Sequence, residues 1–360
     1  MKRIFVVLLL LLGMVCMAEP DFGTTKKLAE QGDVDAQFLL GCIYYKGEVV
    51  TRDYKEAMEW YMRAAEQGDV EAQYNLGCMF DRGEGISRDY EKAFEWYSKA
   101  ANQGHVGAQS NIGIMYEKGK GVSKNYKEAL QWYLKASEQD CAEAQLNLGL
   151  MYYNGEGIPK DFKEALKWFY KAAEQGEVEV QSLIGFMYNK GEGVSQDNKE
   201  AFKWYLKAAE QGCANAQYNL GAMYSKGEGV SQDNKEAFKW YLKAAEQGQM
   251  DAQFRVGCVY YKGEDVPKNS FEACMWYLKA AKQGHVEAQC LIGAMYYLGD
   301  GVPKDYVQTY VWLNVALVNG KNEETRKFLS EVKIKMALEQ VVEAERLSKE
   351  LYEKIYGSKR

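Results

Sequence analysis

Residues 190–212 read KGEGVSQDNKEAFKWYLKAAEQG, and residues 226–248 read the same 23 letters again. An enzyme needs one active site in one place, so a tandem copy of this kind points elsewhere. A segment that packs against its own copy gains an interface each time it is repeated. The tryptophans show that this logic covers the whole chain. All eight lie at one spacing: Trp60, Trp96, Trp132, Trp168, Trp204, Trp240, Trp276 and Trp312, each 36 residues from the last. Gly41, Gly77, Gly113, Gly149, Gly185, Gly221, Gly257 and Gly293 keep the same step. Self-similarity at this period marks a solenoid.

Each repeat reads as a hairpin of two helices. In residues 69–104, Ala72, Leu76, Met79 and Phe80 recur at i, i+4, i+7 and i+8, one face of a helix. Helix A is therefore predicted over VEAQYNLGCMFDR, residues 70–82. Gly83 ends it, because glycine takes the left-handed backbone of a C-cap without strain. EGIS crosses over, and Ser87 or Asp89 caps a helix B running to about Asn102. Its apolar face is Ala93, Phe94, Trp96, Tyr97, Ala100 and Ala101.

Gly77 is expected to let helix B approach helix A, since a mid-helix glycine otherwise costs about 1 kcal/mol against alanine. Met79, Met115, Met151, Met187, Met223 and Met295 share one helix A register and read as core. The repeats fall at 33–68, 69–104, 105–140, 141–176, 177–212, 213–248, 249–284 and 285–320. A half repeat occupies 19–32, and capping helices follow over 321–360. One hairpin cannot bury both its faces, whereas stacked copies can. The expected fold is all-α, an α/α superhelical solenoid of about eight 36-residue hairpins with C-terminal capping helices.

The repeat A-x-x-x-L-G-x-x-Y-x-x-G-x-G-[VI]-x-x-[DN]-x-x-x-A-x-x-W-Y-x-x-A-A-E-x-G resembles the Sel1-like repeat, a longer-looped relative of the tetratricopeptide repeat. Residues 72–85, AQYNLGCMFDRGEG, carry the likeness almost unchanged, and it extends over 26–320. The tail VWLNVALVNG, a helix near 322–335 and LEQVVEAERLSKELYEKI are similar to the end of many bacterial proteins of this type. The resemblance implies helix A on the concave side, a protein or peptide as partner, and no cofactor. Three places depart from the pattern: Val49 and Asp265 replace the second loop glycine, and Val180 replaces an alanine. The loops are expected to be distorted there, not lost. A cysteine-rich branch of the family ties helix B to the next helix A through cysteines eight residues apart. The matching positions here are Ala65 and Gln73, and no junction has a cysteine at either, so the β-lactam activity suggested for that branch does not carry over.

The chain has 360 residues and a formal net charge of −6. That balance argues against nucleic acid, which needs clustered Lys and Arg. Residues 1–18, MKRIFVVLLLLLGMVCMA, hold a basic start, an apolar run from Ile4 to Leu12 and a small-x-small site ending at Ala18. This is the pattern of a secretory signal peptide, and the apolar run is too short for a membrane span of about 20 residues. Lipoprotein processing at Cys16 is the competing reading, although Val15 is larger than that processing wants. The mature protein is expected to be secreted or periplasmic, with no membrane span.

Catalytic constellations do not stand out. No G-x-S-x-G or H-E-x-x-H occurs, and the chain has only two histidines. The G-E-G loops follow a helix and lack the Lys-Ser/Thr of a phosphate loop. His105, His285, Cys141 and Cys213 share one register just after a turn, held elsewhere by Asp33, Asp69, Glu177 and Gln249. Ligands of one metal must converge to about 2.0–2.3 Å, so this register reads as a helix N-cap. Cys258 and Cys274 lie level on the two helices of one hairpin. They stand as a candidate disulfide or as two small buried side chains.

Partner binding in a solenoid is sought where repeats differ. One helix A register holds Phe38, Tyr74, Ser110, Leu146, Ser182, Tyr218, Phe254 and Cys290; another holds Tyr45, Asp81, Glu117, Tyr153, Asn189, Ser225, Tyr261 and Tyr297. Lys46, Arg82, Lys118, Lys190, Lys226 and Lys262 edge the same face. Aromatics beside cations suit a peptide held by a few anchors. The candidate groove is Phe38, Tyr45, Lys46, Tyr74, Arg82, Lys118, Tyr153, Tyr218, Phe254, Tyr261 and Tyr297. Two readings stand for its aromatics, ligand anchors or packing between helices. Asn75, Asn111, Asn147 and Asn219 read either as repeat structure or as ligand-facing amides. The expected function is a non-catalytic scaffold binding a protein or peptide. The alternatives are a cell-wall or β-lactam hydrolase and a secreted, host-directed virulence factor.

Overall fold

A computed structural model describes residues 21–320 and 323–357. The signal-peptide reading, residues 1–18, falls outside the described residues. Regular structure among the described residues is helical throughout. The chain divides into two compact units, one up to Ala172 and one from Ala173. In the first, α1 (Phe22–Glu30) leads into the hairpins α2 (Val34–Lys46) with α3 (Tyr54–Glu66), α4 (Val70–Arg82) with α5 (Tyr90–Asn102), and α6 (Val106–Lys118) with α7 (Tyr126–Ser137). Helix α8 (Ala142–Asn154) follows, and α9 (Phe162–Glu174) runs through the division. The second unit holds α10 (Val178–Lys190) with α11 (Asn198–Glu210), α12 (Ala214–Lys226) with α13 (Asn234–Glu246), α14 (Met250–Lys262) with α15 (Ser270–Gln283), and α16 (Val286–Leu298) with α17 (Tyr306–Gly320). It closes with α18 (Glu323–Ile334) and α19 (Leu338–Tyr356).

The helix ends follow from single residues. The Asp69 carboxylate accepts from the Ala72 N–H at 2.8 Å and starts α4. Gly83, at φ 74°, stops it. Of the two candidate caps for α5, Asp89 serves, accepting from Lys92 N–H at 3.0 Å. Gly85 rests on the preceding hairpin, where an added Cβ would stand 2.6 Å from Tyr54 Cβ. Val49, which stands in the place of that glycine in the first repeat, is exposed. Neither Val49 nor Asp265 takes the positive φ of the glycines they replace, so both loops turn by a different backbone path.

In the first seven hairpins the glycine of helix A meets a ring of helix B, and in the eighth Gly293 meets Leu313. A Cβ on Gly77 would stand 2.4 Å from Tyr97 Cδ1, and one on Gly149 2.5 Å from Phe169 Cε1. Ala93, Ala100, Leu76, Met79 and Tyr97 are all buried around this contact. The six register-sharing methionines are likewise core, each at most 3% exposed.

A buried polar ladder runs beside the apolar core. Gln37, Gln73, Gln109, Gln181, Gln217 and Gln253 are buried. Each accepts, at 2.7–2.8 Å, from the glutamine thirty residues on, as Gln73 does from Gln103. Most donate back to a carbonyl of the preceding helix B, Gln73 to Ala65 O at 3.1 Å. On the outer face a cation three residues after each tryptophan from Trp60 to Trp276 lies over its ring, Lys99 3.6 Å from Trp96 and Lys279 3.7 Å from Trp276.

The C-terminal helices close the second unit. Thr325, Leu329 and Val332 of α18 repeat the i, i+4, i+7 spacing of Ala288, Ile292 and Met295, so α18 is a degenerate further helix A. Tyr356 at the end of α19 reaches back to the turn before α16. It donates to Gly284 O at 3.3 Å and receives from Gln289 Nε2 at 3.1 Å. It thereby replaces the helix B glutamine that meets the ladder elsewhere.

Candidate partner-binding face

In the first unit the exposed sides of α2 and α4 enclose a cleft of about 280 Å³, lined by Cys42, Tyr45, Lys46, Tyr61, Tyr74, Asn75, Cys78 and Arg82. Its floor is Tyr61 of helix B, whose OH donates to Cys42 Sγ at 3.4 Å; behind the lining, Tyr97 OH donates to Cys78 Sγ at 3.4 Å. Its walls come from helix A. Tyr45 stands between Tyr54 and Tyr61, at 5.3 and 6.5 Å between ring centres, and donates to Glu84 at 2.7 Å. Tyr74 stacks on His105 at 4.3 Å. Arg82 and Lys46 lie exposed at the rim, Arg82 3.9 Å from Glu84.

Burial, then Glu84, pushes the Tyr45 hydroxyl up to about 12. Burial also pushes the Cys42 and Cys78 thiols up, against the opposing pull of their tyrosine hydrogen bonds. The cleft is thus uncharged at its floor and cationic at its edge. Asn75 on its wall makes no hydrogen bond among the described residues, leaving a half-buried amide with free donors and acceptor.

The cleft brings together Tyr45, Lys46, Tyr74 and Arg82 of the candidate groove. Phe38 packs 5.9 Å from Tyr61 and is not part of the lining. Lys118 is exposed and pairs with Glu117 at 3.6 Å. Tyr153 packs on Phe162 and Phe169 at 5.2 and 6.4 Å.

In the second unit the two readings of the aromatics separate by position. Tyr218 is half-buried, 5.7 Å from Tyr241. Phe254 is only 8% exposed, held between Tyr277 at 5.7 Å and His285 at 4.2 Å. It is core, not an anchor, because Arg255 also reaches over its ring. Tyr261 lies under Lys268 at 5.3 Å. Tyr297 is covered by the chain itself, since Phe328 of α18 packs on it at 5.0 Å.

The candidate disulfide is corrected. Cys258 and Cys274 are both free thiols. Cys258 faces Tyr277, as Cys42 and Cys78 face their tyrosines. Cys274 takes the register in which Phe94, Phe202 and Phe238 pack on the tyrosine of the next helix A, and its neighbour there is Tyr296. The two sulfurs therefore serve different interfaces.

The turn register behaves as an N-cap. Nδ1 of His105 accepts from Ala108 N–H at 3.0 Å, and Nδ1 of His285 from Ala288 N–H at 3.2 Å. Cys141 and Cys213 hold the same position without a side-chain cap bond. Sequence reasoning passed over the glutamine ladder and the cleft floor. The signal was present in the 36-residue recurrence of Ala-Gln and Glu-Gln-Gly.

The sequence profile of the Sel1 repeat matches eight stretches: 34–69, 70–105, 106–141, 142–177, 178–213, 214–249, 251–285 and 286–316. A Sel1 repeat protein from Oxalobacter formigenes is 35% identical, covers 86% of this chain and 89% of its own, and superposes with a TM-score of 0.70. The protective antigen c5321 of uropathogenic Escherichia coli strains, which displays the same repeat fold, is 30% identical. It covers 94% of this chain and 96% of its own, with a TM-score of 0.59. No curated protein matches the chain in sequence.

Proposed function

Because the chain belongs to the Sel1 repeat family, whose scaffolds are generally non-catalytic protein-interaction modules, we propose that it binds a protein or peptide partner on the exposed face of its A helices. The cleft between α2 and α4 serves as the anchor site. The observation that carries this reading is the Tyr45–Tyr74 cleft with its free Asn75 amide and cationic rim. An aromatic-walled recess with one unused amide suits an apolar side chain presented on a peptide whose backbone supplies a hydrogen bond. Lys46 and Arg82 at the rim favour an acidic residue beside that anchor.

The reading includes a place outside the cytoplasm, which rests on residues 1–18 as a signal peptide. N-terminal sequencing of the mature chain tests that part, with Glu19 as the expected first residue. The likeness to the protective antigen c5321 favours a second, narrower reading, a secreted factor whose partner is a host protein.

The cleft is tested by selecting peptides from a displayed library against the wild-type chain and titrating them against Tyr45→Ala/Tyr74→Ala. Loss of about 2 kcal/mol, or thirtyfold in Kd, is expected for two anchor truncations. Equal affinity for wild type and variant would remove the cleft from the function.

A further inference from the structure

The duplicated segment carries a charged surface that the cleft does not account for. In α11 the outward row at i, i+4 and i+8 is Lys199, Lys203 and Lys207; in α13 it is Lys235, Lys239 and Lys243. All six are exposed. The two helices are neighbours, since Trp240 of α13 packs against the core around Tyr205. Lys203 pairs with Glu200 at 2.8 Å and Lys239 pairs with Glu236. Lys199, Lys207, Lys235 and Lys243 have no carboxylate partner among the described residues, although Lys207 and Lys243 lie 5.3 and 4.1 Å over the rings of Trp204 and Trp240.

The row is again all lysine in α9, as Lys163, Lys167 and Lys171, and differs in the other helices B. In α3 it reads Lys55, Glu59, Arg63, and in α5 Glu91, Glu95, Lys99, mixed in sign. In α15, the next helix B after α13, it reads Phe271, Met275, Lys279. Phe271 is 58% exposed and Met275 42%. Trp276 of α15 packs against the core around Tyr241 of α13, so this apolar pair stands on the helix beside the lysine rows. A chain of net charge −6 thus concentrates cations, with an exposed aromatic and a flexible thioether next to them, on three adjacent helices of one unit.

We propose that this face docks on an anionic lipid surface, the lysines meeting headgroup phosphates and Phe271 with Met275 entering the interfacial layer. Three features favour lipid over an acidic protein. Each cation of the two rows is Lys, a mobile point charge suited to diffuse phosphates, and none is Arg, the residue of fixed bidentate pairing. The rows lie along the outsides of packed helices and do not wall a recess. Exposed Phe beside clustered Lys is the composition of interfacial binding. The inference is independent of the cleft, which lies in the other unit.

The test is sedimentation of the full chain with phosphatidylcholine vesicles and with vesicles containing phosphatidylglycerol, at low and high salt. Binding is expected only with phosphatidylglycerol, weakened by salt as charge screening requires. Lys199→Gln/Lys207→Gln/Lys235→Gln/Lys243→Gln should weaken it about tenfold or more. Phe271→Ser/Met275→Ser should weaken it while leaving the salt dependence unchanged. Tyr45→Ala/Tyr74→Ala should bind vesicles as wild type does. Equal partition of wild type onto neutral and anionic vesicles would overturn the proposal, and needs no variant that might fold poorly. Binding to soluble poly-glutamate without binding to vesicles would also overturn it, and would assign the face to an acidic protein.

Discussion

The Cα of Gly77 faces the ring of Tyr97 so closely that an added methyl would stand 2.4 Å from Cδ1 and 2.6 Å from Cε1. Tyr97 is 2% exposed and its hydroxyl is engaged with Cys78, so the ring cannot swing aside. Gly77→Ala gains about 1 kcal/mol of helix propensity. It loses more to overpacking, typically about 1–3 kcal/mol for an inserted carbon in a tight core. The expected net effect is destabilisation by up to about 2 kcal/mol, the reverse of what a solvent-facing helix glycine would give. Thermal unfolding of the variant decides the sign; a raised Tm would mean that the close contact is not needed.

The glutamine ladder makes a second prediction. Gln73 joins two hairpins by accepting from Gln103 at 2.8 Å and donating to Ala65 O at 3.1 Å. Gln73→Leu keeps most of the volume but removes both bonds, while Ala65 O keeps the Gly68 N–H at 3.0 Å. Two lost hydrogen bonds cost about 1–3 kcal/mol together. The loss should be seen as faster amide exchange at the α3–α4 turn, because in a stack of repeats each interface is local. Gln67→Leu, whose amide also donates to the exposed turn carbonyl of Gly32 at 3.3 Å, should cost less.

The hairpin order, the helix bounds and the close approach of helix B at Gly77 could all be read from residues 69–104, because a 36-residue recurrence reports the packing that each copy needs. Asp89 against Ser87 as the cap could not be separated, since both side chains suit an N-cap and only the helix start distinguishes them. The candidate face was legible as a set of registers and illegible as a surface. Tyr74 and Phe254 share a register and both stack on a histidine. Tyr74 is followed by the short Asn75 and borders a cleft, whereas Phe254 is followed by Arg255 and is buried. Tyr297 is covered by a helix outside the repeat pattern. Exposure at one register depends on neighbours two helices away, and periodicity does not encode that. The lysine rows were plain in the duplicated segment, yet their meaning needed the knowledge that α15 lies alongside.

The thiols should titrate as buried groups. Burial, then the charge of Asp300, pushes Cys274 up to about 11 from an ordinary value of 9.0. A thiol raised on folding contributes stability that is complete below pH 9 and is lost as pH rises through 11. Cys274→Val removes that titration, so the difference in stability between variant and wild type should move in favour of the variant between pH 9 and 11. In the native state at neutral pH, Cys274 should resist alkylation. After denaturation without reductant, both Cys258 and Cys274 should alkylate in full; a mass two hydrogens lighter, with both unmodified, would restore the disulfide.

His285 makes the start of α16 sensitive to acid. Its Nδ1 accepts from Ala288 N–H, so that nitrogen must be unprotonated, while Nε2 faces Asp251 at 3.6 Å. Burial lowers its pKa below the ordinary 6.5, outweighing Asp251 and Glu287, which raise it; Arg255 lowers it further. The folded state thus binds the proton less readily than the unfolded one. The stabilisation is complete above pH 6.5 and is lost as pH falls below that value toward the folded pKa. Its size is that of a helix cap, about 1 kcal/mol. His285→Asn keeps a capping acceptor and removes the titration. From pH 7 to pH 5 the wild type should lose stability relative to this variant, and exchange of the Ala288 amide should quicken in the wild type alone. Parallel stability curves for the two proteins over that range would show that the cap survives protonation.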